Sequence, residues 1–94
     1  MPIRICFEAQ LRIAAGASDV TVDVPDGSTV TDALLVACQQ CNDGVRERLF
    51  ADDHSIRSSL LIFMNDTPVP AGMAAATPLS QNATIVLCPP IAGG

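Results

Sequence analysis

The hydrophobic period of this chain changes from two residues to 3.6 and back again, and that change restricts the fold more than any other feature. Ile3, Ile5 and Phe7 alternate with Arg4 and Cys6, which is the pattern of a half-buried strand. Ala9-Gln10-Leu11-Arg12-Ile13 continues the run, and Ala14 to Asp19, with Gly16 inside it, reads as a turn. Val20, Val22 and Val24 then alternate with Thr21 and Asp23. Two strands so close, joined by a glycine-bearing loop, predict an antiparallel hairpin. Pro25-Asp26-Gly27 ends the second strand. From there the period becomes helical. Val30, Leu34, Ala37, Cys38 and Cys41 share one face, and Thr29 stands three residues before Asp32 as in a capping box. The spacing predicts a helix over 30–41, stopped by Asn42-Asp43-Gly44, and a further turn or two over 45–50 with Val45 and Leu49 facing inward.

The remainder returns to strand patterning. Leu60 to Met64 is apolar on both faces, which predicts a well-covered third strand. Asn65-Asp66 marks a turn, and Thr67-Pro68-Val69 fits a short fourth strand that Pro68 confines to an edge. Val69 to Pro78 is Ala-rich and weakly patterned. Ser80-Gln81-Asn82 is a turn, and Thr84 to Cys88 is the last strand, with Ile85 and Leu87 on one face. Pro89-Pro90 ends it, because neither residue can donate to a sheet ladder. The order β-β-α-β-(β)-β predicts an α+β two-layer domain with an amphipathic helix on one face of a mixed four- or five-stranded sheet. A helix crossing after the hairpin leaves room for the final strand to lie in the middle, parallel to the first. That is the ubiquitin-like β-grasp arrangement. With 94 residues, one core is what the length supports, so residues 1–94 are expected to form a single domain.

Composition removes several classes of function. At 49% hydrophobic residues the chain is too apolar to be disordered. It carries a net charge of −5 from eight Asp, two Glu and five Arg, with no Lys. That balance, with few aromatics, argues against nucleic acid and anionic membranes and suits a partner with a basic docking face. No apolar run approaches a membrane span and no signal peptide is visible. A cytoplasmic location is therefore expected, where an even cysteine count does not imply disulfides. Without lysine the chain cannot receive an isopeptide bond on a lysine side chain.

The most specific motif is Pro89-Pro90-Ile91-Ala92-Gly93-Gly94. The rigid Pro-Pro marks the end of the fold. Residues 91–94 are expected to project as a flexible tail reaching at most about 13–14 Å. Two residues without side chains can thread a channel too narrow for any Cβ. The Gly94 carboxylate is ionised at neutral pH, since an α-carboxyl titrates near about 3.3–3.7. Such a carboxylate can attack the α-phosphate of ATP to form an acyl-adenylate, from which a sulfur nucleophile displaces AMP.

With these residues the chain resembles the MoaD/ThiS-type sulfur carriers, and among them the small subunits of molybdopterin synthases. The resemblance runs through residues 3–12, through Ser28-Thr29-Val30-Thr31-Asp32-Ala33-Leu34-Leu35, Met64-Asn65-Asp66 and Pro78-Leu79, to the Gly-Gly terminus. It departs at Ser80-Gln81-Asn82, where the family usually has an acidic-Gly-acidic turn, and at Glu8, where an apolar residue is common. The resemblance implies that an E1-like, MoeB-type adenylyltransferase activates Gly94 using ATP and Mg²⁺, with no cofactor resident in the carrier. A thiocarboxylate on Gly94 would then enter the large, MoaE-type synthase subunit and donate sulfur to a precursor pterin, with Gly93 giving steric access. The catalytic lysines would belong to that partner. Sulfur transfer toward thiamine, cysteine or tRNA, and ubiquitin-like protein modification, use the same tail.

Pro89, Pro90, Ile91 and Ala92 are expected to contact the partner, together with the outer-face residues Cys6, Val86 and Cys88. Cys38-x-x-Cys41 invites a metal or ferredoxin-like reading, since it supplies half of a plant-type cluster motif. Its place near a helix end, away from Cys6 and Cys88, favours four structural cysteines and no metal. Cys6 and Cys88 lie on strands expected to be neighbours, so oxidation of that pair on storage is also expected. His54, beside Asp52 and Asp53, reads as a solvated side chain.

Overall fold

Ile3, Ile5 and Phe7 are fully buried while Arg4 stays exposed, so the period-two pattern at the N-terminus does form a strand with one face in the core. In a computed structural model that describes residues 1–89, this strand is β1 (Pro2–Phe7). It is joined by β2 (Asp19–Asp23), β3 (Leu61–Met64), β4 (Thr67–Val69) and β5 (Thr84–Cys88) in one sheet ordered β2-β1-β5-β3-β4. β1 runs antiparallel to β2 and parallel to β5, while β3 is antiparallel to both β5 and β4. This is the expected β-grasp arrangement, with the last strand central and parallel to the first. The expected tail, residues 91–94, lies outside the described residues.

The helix crosses one face of the sheet. α2 (Val30–Gln40) buries Val30, Ala33, Leu34, Ala37 and Cys38, the stripe that the helical spacing picks out. Its first turn is held by the capping box. The Thr29 backbone N–H donates to Asp32 Oδ2 at 2.9 Å, and the Asp32 N–H donates to Thr29 Oγ1 at 3.3 Å. Two of the four orphan donors at this helix end are thereby satisfied. Asn42 stops α2 by capping the next helix, α3 (Asp43–Leu49), accepting the Val45 N–H on Oδ1 at 3.2 Å. Its amide also donates to the Ala14 carbonyl at 2.7 Å. Val45 and Leu49 both point into the core and are fully buried.

Asn65 and Asp66 join β3 to β4 with positive φ at both positions, 50° and 70°. This is the backbone of a two-residue type I′ turn, which matches the twist of the flanking strands. The Ala-rich stretch forms a 3-10 segment, Ala71–Ala76, that buries Ala74 and packs against α2. Small side chains let the two backbones approach.

Two expectations are corrected. Residues 9–13 do not prolong the first strand. Gln10–Ala15 forms a short helix, α1, ended by Gly16 in the left-handed region at φ 69°. A strand would have placed Leu11 and Ile13 together on the core face. The helix buries Leu11 fully and leaves Ile13 81% exposed. The third strand is also not covered on both faces. Leu61 is 48% exposed and Phe63 half-buried, because among the described residues no helix packs on that side.

The chain enters α1 through Ala9 at φ 51°, ψ −125°. Only glycine adopts that backbone without strain. A side chain held in such a region costs on the order of 1–3 kcal/mol, and the extra freedom of glycine when unfolded offsets roughly 0.5–1 kcal/mol. Ala9→Gly is therefore expected to stabilise the domain by about 1 kcal/mol, seen as a rise in melting temperature of roughly 4–8 °C. An unchanged or lower melting temperature would show that Ala9 is unstrained.

Candidate functional site

Because β5 lies between β1 and β3, the chain leaves the sheet from its middle rather than from an edge. The last ladder position, Cys88, pairs with Leu61, and the backbone N–H of Glu8 donates to the Leu87 carbonyl at 3.0 Å. Pro89 comes next, half-buried. Strands pin the exit point from both sides.

Register assigns the outer face residue by residue. Cys6 pairs with Val86, Val86 with Phe63, and Phe63 with Pro68, so one apolar row crosses four strands. Cys88 and Leu61 form a second, shorter row beside it. Cys6, Val86 and Cys88 thus share one face, as expected, next to the chain exit. The sequence pattern hid Leu61, Phe63 and Pro68. Their signal was present in the alternation of Leu61 and Phe63 with Leu60 and Ile62, but an unbroken apolar run masks which side is covered. Exposed apolar residues grouped on one face mark an interaction surface more often than scattered ones do. The row ends at the β2 edge with an ion pair, Arg4 Nε to Asp19 Oδ2 at 2.6 Å. That hydrogen bond raises the Arg4 guanidinium and lowers the Asp19 carboxyl from their ordinary values.

Beside the exit, on the α1–α3 side, lies a groove of about 380 Å³ lined by Gln10, Glu47, Arg48, Arg57, Ser59, Leu60 and Pro89. Pro89 is one of its walls, which joins the groove to the expected partner-binding set. Pro90, Ile91, Ala92, Gly93 and Gly94 lie outside the described residues.

The cysteines divide between the two sides of the sheet. Cys38 is buried on α2 in the core and Cys41 packs at its margin, while Cys6 and Cys88 are on the outer face. Among the described residues no group of three or more His, Cys, Asp or Glu could hold a metal ion. Cys38 sits within a helix rather than in a cluster loop. Burial pushes the Cys38 thiol up to about 11 and also raises Cys41. Cys88 is raised by burial and then by the Glu8 carboxylate. Glu8 is itself held by Arg12 at 3.1 Å. Cys6 lies directly opposite Val86 rather than Cys88, so the expected oxidation of Cys6 with Cys88 would have to bridge a diagonal. Among the described residues, no helix is long and apolar enough to cross a membrane.

The Cys38 shift has a definite sign. Its folded value of about 11 lies above the ordinary thiol value of 9.0. The contribution to stability is therefore complete below pH 9 and is lost as pH rises toward 11. Iodoacetamide at pH 8 is expected to leave Cys38 unmodified in the folded protein and to modify it in denaturant, as mass spectrometry of digests reads. Rapid labelling of Cys38 in the native state would refute its burial.

Comparison with known proteins agrees with this geometry. The sequence model of the ThiS family matches residues 5–94. No curated protein matches the chain. Among solved structures, SAMP1, the small archaeal modifier protein 1 of Haloferax volcanii, superposes with a TM-score of 0.89 at 26% identity, each chain covered over 100% of its length. A chain of the Amycolatopsis orientalis BexX/CysO complex gives 0.73 at 20% identity, with 98% of this chain and 99% of that one covered. The complex of subunits 1 and 2 of the molybdopterin-converting factor from Helicobacter pylori gives 0.62 at 21% identity, with both chains fully covered.

Proposed function

The chain belongs to the ThiS family, and from that premise we propose that it is a cytoplasmic sulfur carrier whose Gly94 carboxylate is activated and thiolated. The carboxylate oxygen attacks the α-phosphate of ATP, pyrophosphate leaves, and an acyl-adenylate forms on Gly94. A sulfur nucleophile adds at the acyl carbon and AMP departs with the former carboxylate oxygen, leaving a thiocarboxylate. ATP and Mg²⁺ act in an E1-like, MoeB-type adenylyltransferase, and the carrier supplies only the acyl group. Gly93 and Gly94 let that group pass through a channel too narrow for a side chain.

The observation that carries the reading is the central, doubly paired β5, with Gly93-Gly94 only a few residues beyond its end. A rigid exit beside an apolar face lets a partner grip the domain and reach the tail in one docking event. Pro89, Pro90, Ile91 and Ala92, with Cys6, Val86, Cys88, Leu61 and Phe63, would make that contact. For the acceptor we favour a precursor pterin in a MoaE-type large subunit, so that the chain acts as the small subunit of a molybdopterin synthase. The Helicobacter pylori complex of subunits 1 and 2 supports this choice by its shared fold. A second reading, attachment to proteins, is favoured by the likeness to SAMP1. Both use the same Gly94 adenylate.

Incubation with a MoeB-type adenylyltransferase, MgATP and a sulfide source is expected to raise the intact mass by the exchange of one oxygen for sulfur. A chain lacking Gly94 should show no such change. Failure of the wild type, with the enzyme active on a control carrier, would overturn the reading.

A further inference from the structure

The chain is acidic overall, yet the rim of its exit point is not. Among the described residues, Arg4 pairs with Asp19 and Arg12 with Glu8, while Arg46, Arg48 and Arg57 pair with no carboxylate. Two of those three, Arg48 and Arg57, line the groove walled by Pro89. Both are held in place from behind. Arg48 Nη1 donates to the Gly44 carbonyl at 3.0 Å, and Arg57 Nε donates to the Glu47 carbonyl at 2.7 Å. Each guanidinium has five N–H donors. One is therefore used to fix the fork against α3, and the others stay available to a ligand. Glu47 sets one carboxylate against the two guanidiniums, and Gln10 and Ser59 add neutral polar groups above buried Leu60.

We infer that this groove is the docking site for an acidic segment of the adenylyltransferase that activates the tail, with Asp or Glu carboxylates seated on Arg48 and Arg57. The inference rests on the carrier reading. Pro89 is a wall of the groove and stands two residues before Ile91, where the tail begins. A protein that takes the tail into its active site would come close to the groove. Planar guanidiniums recognise carboxylates in a bidentate fashion, and charge complementarity at a contact rim acts chiefly on the rate of encounter. The net charge of −5 would repel an acidic partner everywhere except at such a local positive rim. It therefore selects orientation as well as partner.

The test is steady-state ATP–pyrophosphate exchange by a MoeB-type adenylyltransferase, with the carrier as varied substrate. The Arg48→Glu/Arg57→Glu double variant is expected to raise the KM for the carrier about tenfold or more with kcat unchanged, and to flatten the salt dependence of kcat/KM. Arg46→Glu serves as the control. Its guanidinium lies 6.0 Å over the Phe50 ring, outside the groove, so KM should stay within about twofold of wild type. Single Arg48→Gln and Arg57→Gln variants carry the same comparison should charge reversal unfold the domain. A KM unchanged in all groove variants, or raised equally by Arg46→Glu, would overturn the inference. So would a lowered KM, which would mean that the arginines restrain the chain's own Gly94 carboxylate. No exchange with the wild type would instead overturn the carrier reading, and the groove's assignment with it.

Discussion

The parallel ladder between β1 and β5 is the constraint on which the rest of the molecule depends. It pairs Ile5 with Ile85 and Phe7 with Leu87, all four fully buried, and joins the two ends of the chain in the middle of the sheet. A parallel pair cannot be closed by a tight turn and needs a long crossover. Here the crossover contains α2, α3 and the β3–β4 hairpin, so β5 enters its slot between strands that are distant in sequence. Those four side chains form the floor against which α2 packs. They also decide that the chain leaves the sheet beside the uncovered face.

The ladder thereby gives the two faces of the sheet different tasks. The inner face carries the stability, with α2 and α3 closing over it. Among the described residues no helix lies on the outer face, and its cross-strand row from Cys6 to Pro68 stays partly or fully accessible. Ile13 and Met73 are exposed elsewhere, on α1 and the 3-10 segment, while Leu61 adds a large exposed apolar side chain to this face. At the exit point that surface meets the groove bearing Arg48 and Arg57. An apolar sheet face gives contact area but little orientation, because an apolar contact is non-directional. Fixed guanidiniums give orientation at little cost in area.

Most of the fold was legible because local signals agreed with one another. The capping pair Thr29 and Asp32, the punctuation at Asn42 to Gly44, the I′ turn at Asn65-Asp66 and the stop at Pro89 are each set by neighbouring atoms, and each lies where the pattern put it. α1 was not legible. Leu11 and Ile13 mimic a strand, and only the turn at Ala9, which alanine does not favour, diverts the chain. The outer face was half legible. Cys6, Val86 and Cys88 can be read from alternation, whereas Leu61 and Phe63 sit in a run whose covered side is decided by where α2 lies. The groove was not legible at all. Gln10, Arg48, Arg57 and Pro89 come from four separate parts of the chain, and no spacing rule links them.

The thiols bear on how a tail activated as proposed would react. An acyl-adenylate on Gly94 would be open to attack by any nearby amine or thiolate. The chain has no lysine to supply the amine. The thiol closest to the exit, Cys88, is shifted upward by its burial and then by the Glu8 carboxylate. Glu8 stands where an apolar residue would be ordinary for the family. Glu8 pairs with Arg12 at 3.1 Å and also acts on Cys88. Thiolate, not thiol, is the nucleophile. An upward shift lowers the thiolate fraction at Cys88 while its bulk stays on the apolar face. Under the proposed function, chemistry at Gly94 would be left to the nucleophile that a partner brings.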